Sequence, residues 1–348
     1  MAKTALIIGG TGQIGLAAAA RLAASGWEVT LAHRGQHSPA LPADVADIRF
    51  DRADTAALHS AARGSDLVLD TVAFDTAHAD QLAGLAGDVG SLVVISTGSV
   101  YLGRNGSYLD VAADATFPDY PVPLTETDAT IDNAEQTYSP LKAAMERRLL
   151  GTADLPVSIL RPGAIHGPGS PALREWFFIK RVLDGRRRVV LAHDGASRFA
   201  TSATANLAEL VFRCAERPGR RVLNAVDDEA LTVAEIGRAV FDEMGHDAEI
   251  LTFSGPPRGE LGASPWGIPN PIVLSMAAAR EQLSYAPAVS YAEGLAGDIR
   301  WVTDAVAAAE RRGESWEQLF PSIVERYGQA GWFPYAAEDA FAAAISAG

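Results

Sequence analysis

The chain has 348 residues, 48% of them apolar, and a formal net charge of −14 from 29 basic and 43 acidic side chains. That length and apolar fraction exclude a disordered or fibrous chain and suit one large domain or a main domain carrying a smaller one. The charge disfavours nucleic acid and anionic lipid as partners, and the single cysteine, Cys214, excludes an intramolecular disulfide, in keeping with a reducing cytoplasm.

The opening "MAKTALIIGG" enters a buried-strand pattern within four residues, so no leader peptide is expected. No apolar run reaches the roughly 18 residues that cross a bilayer, and the expectation is a soluble cytoplasmic protein. "ALII", "EVTLA", "DIRF", "DLVLDTV", "SLVVIS" and "VSILR" read as strands, and "GLAAAARLAAS", "DTAALHSAA" and "SPLKAAMERRLL" as helices between them. Nearly continuous apolar strands separated by helices predict a parallel sheet covered on both faces, a doubly wound, Rossmann-type α/β fold.

From about Gly163 the pattern loosens into Pro and Gly clusters, "HGPGSP", "SGPPRG" and "SPWGIPNP", where such folds place substrate contacts. "SRFATSATANLAELVFRCAE" reads as a helix returning to the main domain, and Thr232 with Glu235 reads as the capping box of a second helical unit. Trp176, Phe177 and Phe178 read as core, and "YAAEDAFAAAISAG" as a packing helix or a fraying tail. The expected organisation is a dinucleotide-binding domain over 1–165 plus about 199–226. A smaller, mostly C-terminal substrate-binding subdomain then covers about 166–198 plus 227–348.

"LIIGGTGQIG" sets Gly9, Gly12 and Gly15 between a strand and a helix, with Thr11, Gln13 and Ile14 in the same cofactor-facing turn. One glycine permits the tight turn, one lets backbone approach a pyrophosphate, and one packs the helix close to the sheet. At the end of the second strand an acid would accept hydrogen bonds from the adenosine ribose; the sequence there is "LAHRGQ", with Arg34 and no carboxylate. Arg34 is either a grip for a 2'-phosphate or a solvent-facing side chain, and the balance favours NADP(H) over NAD(H). Asp51 is either an adenine partner or a helix cap, and Arg52 lies in the same cofactor-facing stretch.

Tyr138 and Lys142 stand four residues apart in "YSPLK", on one helix face, in a chain with three lysines and twenty-six arginines. A free tyrosine titrates near 10, and a compact ammonium beside it favours the phenolate that acid/base work at neutral pH requires. Pro140 is tolerated there because the first helical turn has no use for its N–H.

With "GGTGQIG", "ISTGSVYL", "YSPLK" and "LRPGAIHGPG" in order over about residues 4–170, the chain resembles the extended short-chain dehydrogenase/reductase family, of NAD-dependent epimerase/dehydratase type. The resemblance implies Tyr138 as general acid/base, Lys142 as its partner on the ribose, and Thr97 as the hydroxyl that holds the substrate oxygen. It implies that Thr71, Val72 and Ala73 line the cofactor and that Pro162 and Ile165 lie against the nicotinamide. It places His166 and Arg198 at the substrate, Arg198 being either a diphosphate contact or merely exposed. His166 has no second His or Cys at ligand spacing, so no metal is expected. Dehydratases of the family carry an Asp-Glu pair after the Thr; Gly98 and Ser99 stand here, which argues against water elimination. The implied activity is hydride transfer between NAD(P) and a secondary alcohol or ketone in a small-molecule substrate. Two alternatives stay open, a sugar-nucleotide epimerase that retains its cofactor and a non-catalytic NADP sensor, as does a homodimer.

Overall fold

The computed structural model describes residues 2–35, 41–42, 44–327 and 332–347. Strands and helices alternate through the first half: β1 (Thr4–Ile8), α1 (Gln13–Ala23), β2 (Glu28–His33), β3 (Val45–Arg49), α2 (Thr55–Ala62), β4 (Leu67–Asp70), α3 (Thr76–Ala83), β5 (Leu92–Ile95), α4 (Tyr138–Leu150) and β6 (Val157–Pro162). There follow β7 (Ala164–His166), α5 (Trp176–Leu183), β8 (Arg188–Leu191), β9 (Thr201–Ala203), α6 (Thr204–Glu216), β10 (Arg221–Ala225), α7 (Val233–Glu243) and β11 (Glu249–Thr252). The chain closes with α8 (Ala277–Leu283), α9 (Tyr291–Arg311), α10 (Trp316–Leu319), α11 (Pro321–Tyr327) and α12 (Tyr335–Ala347).

Seven strands form one parallel sheet in the order β10-β6-β5-β4-β1-β2-β3. Six were expected from the apolar runs; β10 adds the seventh beside β6. β4, β5 and β6 are buried at every position, as strands must be when helices cover both faces. One face packs on α1 and α6 through Leu22, Leu207 and Val211, and the other on α2, α3 and α4 through Leu58, Leu82 and Leu149. The strand order reverses between β1 and β4, so the crevice at their carboxyl ends is the topological switch point where open sheets bind ligands.

A separate core lies beyond the sheet, where Trp176, Phe178, Ile236, Val240, Trp266 and Leu295 pack together. The aromatic run 176–178 is therefore core. Helix α12 is a packing helix: Glu338 is buried on Arg181 of α5 at 2.7 Å, and Phe341 lies against Phe253.

Among the boundaries that differ from expectation, two have a visible cause. β4 stops at Asp70 rather than Val72, because the buried Asp70 carboxylate accepts the N–H groups of Val72 and Ala73 and turns the chain out of the sheet. The return helix starts only at Thr204; residues 201–203 are spent on pairing β9 with β7.

Candidate active site

The glycine turn opens directly after β1. Gly9 has φ 75°, and a side chain there would run into Thr71 Oγ1 and Val72 Cγ1, so the left-handed backbone and the close approach both demand glycine. Gly15 lets the first turn of α1 lie on the backbone of Gly10, where a Cβ would come within 2.6 Å of the Gly10 Cα. Gly12 is the N-cap of α1 and offers no side-chain cap. The N-terminal N–H groups of α1 and the positive end of its dipole thus face the crevice, which suits a pyrophosphate. Val72 is 45% exposed beside Gly9, an apolar surface laid open on the floor of the same crevice. These residues fit a dinucleotide.

On one side of the turn a cavity of about 460 Å³ is lined by Gly12, His33, Arg34, Asp51 and Arg52 among others. His33 is occupied: its Nδ1 accepts the Gly35 N–H at 3.0 Å, so its Nε2 carries the proton and donates to Asp47 at 2.9 Å. Arg34 lies exposed at the rim. The Arg52 guanidinium is held by Asp70 at 2.6 Å and by Gln81, which fixes it on the cavity wall. Asp51 accepts the N–H of Ala53, while the cap of α2 is Asp54, so the capping role falls to the later acid.

On the other side a cavity of about 500 Å³ brings together Thr97, Tyr138, Pro162 and Ile165. Thr97 follows the end of β5; its Oγ1 lies 3.0 Å from Ser99 Oγ and accepts the Ser99 N–H. Tyr138 is the first residue of α4, 47% exposed, with its ring 5.8 Å from that of Phe74. Thr137, the N-cap by position, makes no side-chain cap. That task falls to Asp110, on a 3-10 turn at Leu109–Val111, whose carboxylate accepts Ser139 N–H at 2.7 Å and Ser139 Oγ–H at 2.5 Å.

Lys142, one turn further on, is 6% exposed, and its Nζ donates to the carbonyls of Ala73 at 2.6 Å and Ile95 at 3.0 Å. It thus pins α4 to the carboxyl ends of β4 and β5 and keeps a third N–H. Burial pulls its ammonium down to about 8, against the opposing pull of Asp70 and Glu146. Beneath it the buried pair of Arg161 and Glu146, joined at 2.5 Å, ties α4 to β6, with the guanidinium 4.7 Å over the ring of Tyr101.

Two expected substrate residues are not on this cavity. His166 is 1% exposed, clamped between Asp298 at Nδ1 and Asp227 at Nε2, both at 2.9 Å, and packed on Tyr291. Burial opposes its charge, but the two carboxylates prevail and hold the imidazole well above its ordinary range; it is an internal cation, not a substrate contact. Arg198 turns away because its guanidinium is taken by the Ala230 carbonyl, in an antiparallel bridge to Thr232. The sequence reading missed Asp110 and, in the loop after β7, Ser170 and Arg174, all on the cavity wall. The signal for the last two was present: polar residues in a Pro/Gly loop at the carboxyl edge of the sheet.

The family model for the NAD dependent epimerase/dehydratase family matches residues 5–225. No curated protein matches the chain in sequence. Among solved structures, the Bordetella bronchiseptica enzyme WbmH in complex with NAD+ superposes with a TM-score of 0.68 at 16% identity, over 87% of this chain and 99% of that one. A UDP-N-acetylglucosamine 4-epimerase from Methanobrevibacter ruminantium M1, in complex with UDP-N-acetylmuramic acid, gives 0.67 at 18% identity over 87% and 99%. The dTDP-glucose 4,6-dehydratase from Bacillus anthracis str. Ames, in complex with NAD, gives 0.65 at 16% over 87% and 97%.

Proposed function

We propose a reaction for this chain from one premise: it belongs to the NAD-dependent epimerase/dehydratase family and is an enzyme of the extended short-chain dehydrogenase/reductase type. The reaction is the interconversion of a secondary alcohol and a ketone. Bound nicotinamide supplies the redox chemistry, exchanging a hydride with the substrate carbon. The protein handles the proton and the geometry. In the oxidation direction the substrate O–H proton passes to the Tyr138 phenolate oxygen; in reduction the Tyr138 phenol returns it. Thr97 Oγ1 holds the same substrate oxygen, and the Lys142 ammonium lowers the cost of the phenolate one helical turn away. Gly9, Gly12 and the N-terminus of α1 would hold the pyrophosphate, Val72 would line the cofactor beside the glycine turn, and Pro162 and Ile165 would lie against the nicotinamide.

The observation that carries this reading is the meeting of Thr97 and Tyr138 on one cavity, at the carboxyl edge of the sheet and beside the glycine turn. NADP(H) is the favoured cofactor, supported by Arg34 and by the absence of an acid at the end of β2. The NAD in complex with the Bacillus anthracis and Bordetella bronchiseptica enzymes is a feature of those proteins. A second reading, epimerisation by oxidising and re-reducing one centre with the cofactor retained, draws support from the 4-epimerases of similar fold.

The test is a substrate panel of ketones and sugar derivatives, followed by loss of reduced-nicotinamide absorbance, on the wild type and on Tyr138→Phe. Turnover should fall ~10²–10⁴-fold in the variant with cofactor affinity intact. Full turnover in Tyr138→Phe removes the mechanism, and tighter binding of NADH than of NADPH removes the cofactor choice.

A further inference from the structure

The cavity holding Thr97 and Tyr138 contains polar atoms for which the protein itself provides no partner. Ser96 Oγ and Ser170 Oγ are enclosed, with no hydrogen-bond partner among the described residues. Both residues line this cavity, and they are 3% and 1% exposed. A buried polar group left unpaired costs ~1–3 kcal/mol, and with Gln13 Oε1 three such atoms belong to residues lining this cavity, which marks where a ligand's hydroxyl groups pair.

Arg174 is four residues beyond Ser170 on the same loop. It is half-buried, lines the cavity, and makes no side-chain hydrogen bond or ion pair with a described residue. It is also the single cation among the lining residues. The single acid, Asp110, is engaged by Ser139. A lone guanidinium on a cavity wall, with no protein carboxylate on it, is a site for a planar anion held by paired hydrogen bonds.

The same wall argues against a nucleotide diphosphate. One cation faces the cavity, and Arg198, the candidate for a second, is committed to the Ala230 carbonyl. The cavity of about 500 Å³ must also take the nicotinamide end of the cofactor, which leaves room for a compact molecule. We propose that the substrate is a small hydroxylated carboxylic acid, its carboxylate on Arg174 and its hydroxyl groups on Ser96 and Ser170. This rests on the hydride-transfer reading, since it assigns the substrate of that same cavity.

The experiment is calorimetric titration of the NADPH-loaded enzyme with four probes: D-gluconate, glucose, glucose 6-phosphate and UDP-glucose. Gluconate is expected to bind tightest. Loss of a hydrogen bond to a charged group is worth ~1.5–3 kcal/mol, so glucose should bind roughly 10–150-fold more weakly. Arg174→Gln should bring gluconate down to the level of glucose, Arg174→Lys should recover part of the loss, and Ser170→Ala should weaken gluconate and glucose alike. Tighter binding of UDP-glucose overturns the proposal in favour of a nucleotide substrate, and tighter binding of glucose 6-phosphate overturns the carboxylate. So does gluconate affinity unchanged in Arg174→Gln, or no gluconate binding to an enzyme that binds NADPH. An enzyme that binds neither NADPH nor NADH fails one step earlier and rejects the hydride-transfer reading itself.

Discussion

Two groups of ionisable side chains lie on either side of the loop that follows β6, and they are built by opposite rules. Around His166 nearly all the hydrogen bonds close within the protein, with Asp298 Oδ1 left unpaired among the described residues. Asp227 accepts from His166, Thr201, Asn206 and the N–H of Ala203, and Tyr291 donates to the buried Glu175. Around Tyr138 they stay open: the ring is half exposed, the hydroxyls of Ser96 and Ser170 are unpaired, and Arg174 faces the cavity. The difference teaches that residue type does not assign a role. A histidine in a glycine-rich loop at the edge of the sheet looks like a substrate contact, yet a charge whose every partner is protein serves packing. A polar group left unpaired on the wall of an open cavity is available to a ligand, whereas one enclosed in the core, such as Trp266 Nε1, is not.

The strongest way to break this comparison is to open the closed cluster. His166→Ala leaves two carboxylates buried without their cation, and a broken buried pair costs about 3–5 kcal/mol, read from the urea midpoint. The pH dependence gives a second reading. Because the folded state holds the imidazole well above 6.5, this group's contribution to stability is fully present below 6.5 and is lost as pH rises through the raised value. Asp227, held below 3.8 chiefly by its bonds to His166 and despite burial, contributes stability that is lost only as pH falls through its depressed value. The wild type should therefore lose urea resistance between mildly acidic and alkaline pH, and His166→Gln should flatten that slope. A variant as stable as the wild type would show that the cluster is not what holds the loop to α9.

The same contrast explains what was legible in the sequence. The glycine turn and the Tyr138–Lys142 pair are local: each is fixed by spacing within a few residues, in a strand-turn-helix context that imposes one geometry. The parallel sheet was readable because β4, β5 and β6 carry their burial in an unbroken apolar run. His166 and Arg198 were misplaced because their partners are remote; His166 meets Asp227 61 positions away and Asp298 132 away. Arg198 is claimed by a carbonyl 32 positions on. No spacing announces such pairs. Asp110 was missed for the same reason, since it caps a helix 29 positions downstream across a long excursion of the chain.

A sharper division runs through Lys142, which belongs to both kinds of group: buried and bonded to two carbonyls like a packing residue, yet adjacent to the open cavity. With its ammonium pulled down to about 8 by burial, its charge is present at neutral pH and disappears as pH rises through that value. If the charge is what favours the Tyr138 phenolate, kcat/KM, which reports groups of the free enzyme, should fall on the alkaline side with an apparent pKa near 8. The loss should approach roughly tenfold per pH unit beyond it. A flat alkaline limb to the point of denaturation would assign Lys142 to packing alone.

The smallest expected effect concerns Asp110, which stands at the boundary between the two patterns, lining the cavity while closing the first turn of α4. Pro140 has no N–H, and Leu141 already bonds to the Thr137 carbonyl, so Ser139 N–H is a first-turn donor that depends on a side chain from elsewhere. Removing such a cap costs about 1 kcal/mol, and Asp110→Ala should lower the unfolding free energy by that amount. Asp110→Asn should recover most of it, because its carbonyl oxygen can accept the N–H and its amide can donate to Ser139 Oγ. Equal losses in both variants would mean that the negative charge at the positive end of the helix dipole, rather than the paired hydrogen bonds, is what Asp110 contributes. No loss in either would mean that α4 starts at Tyr138 without help from the cavity wall.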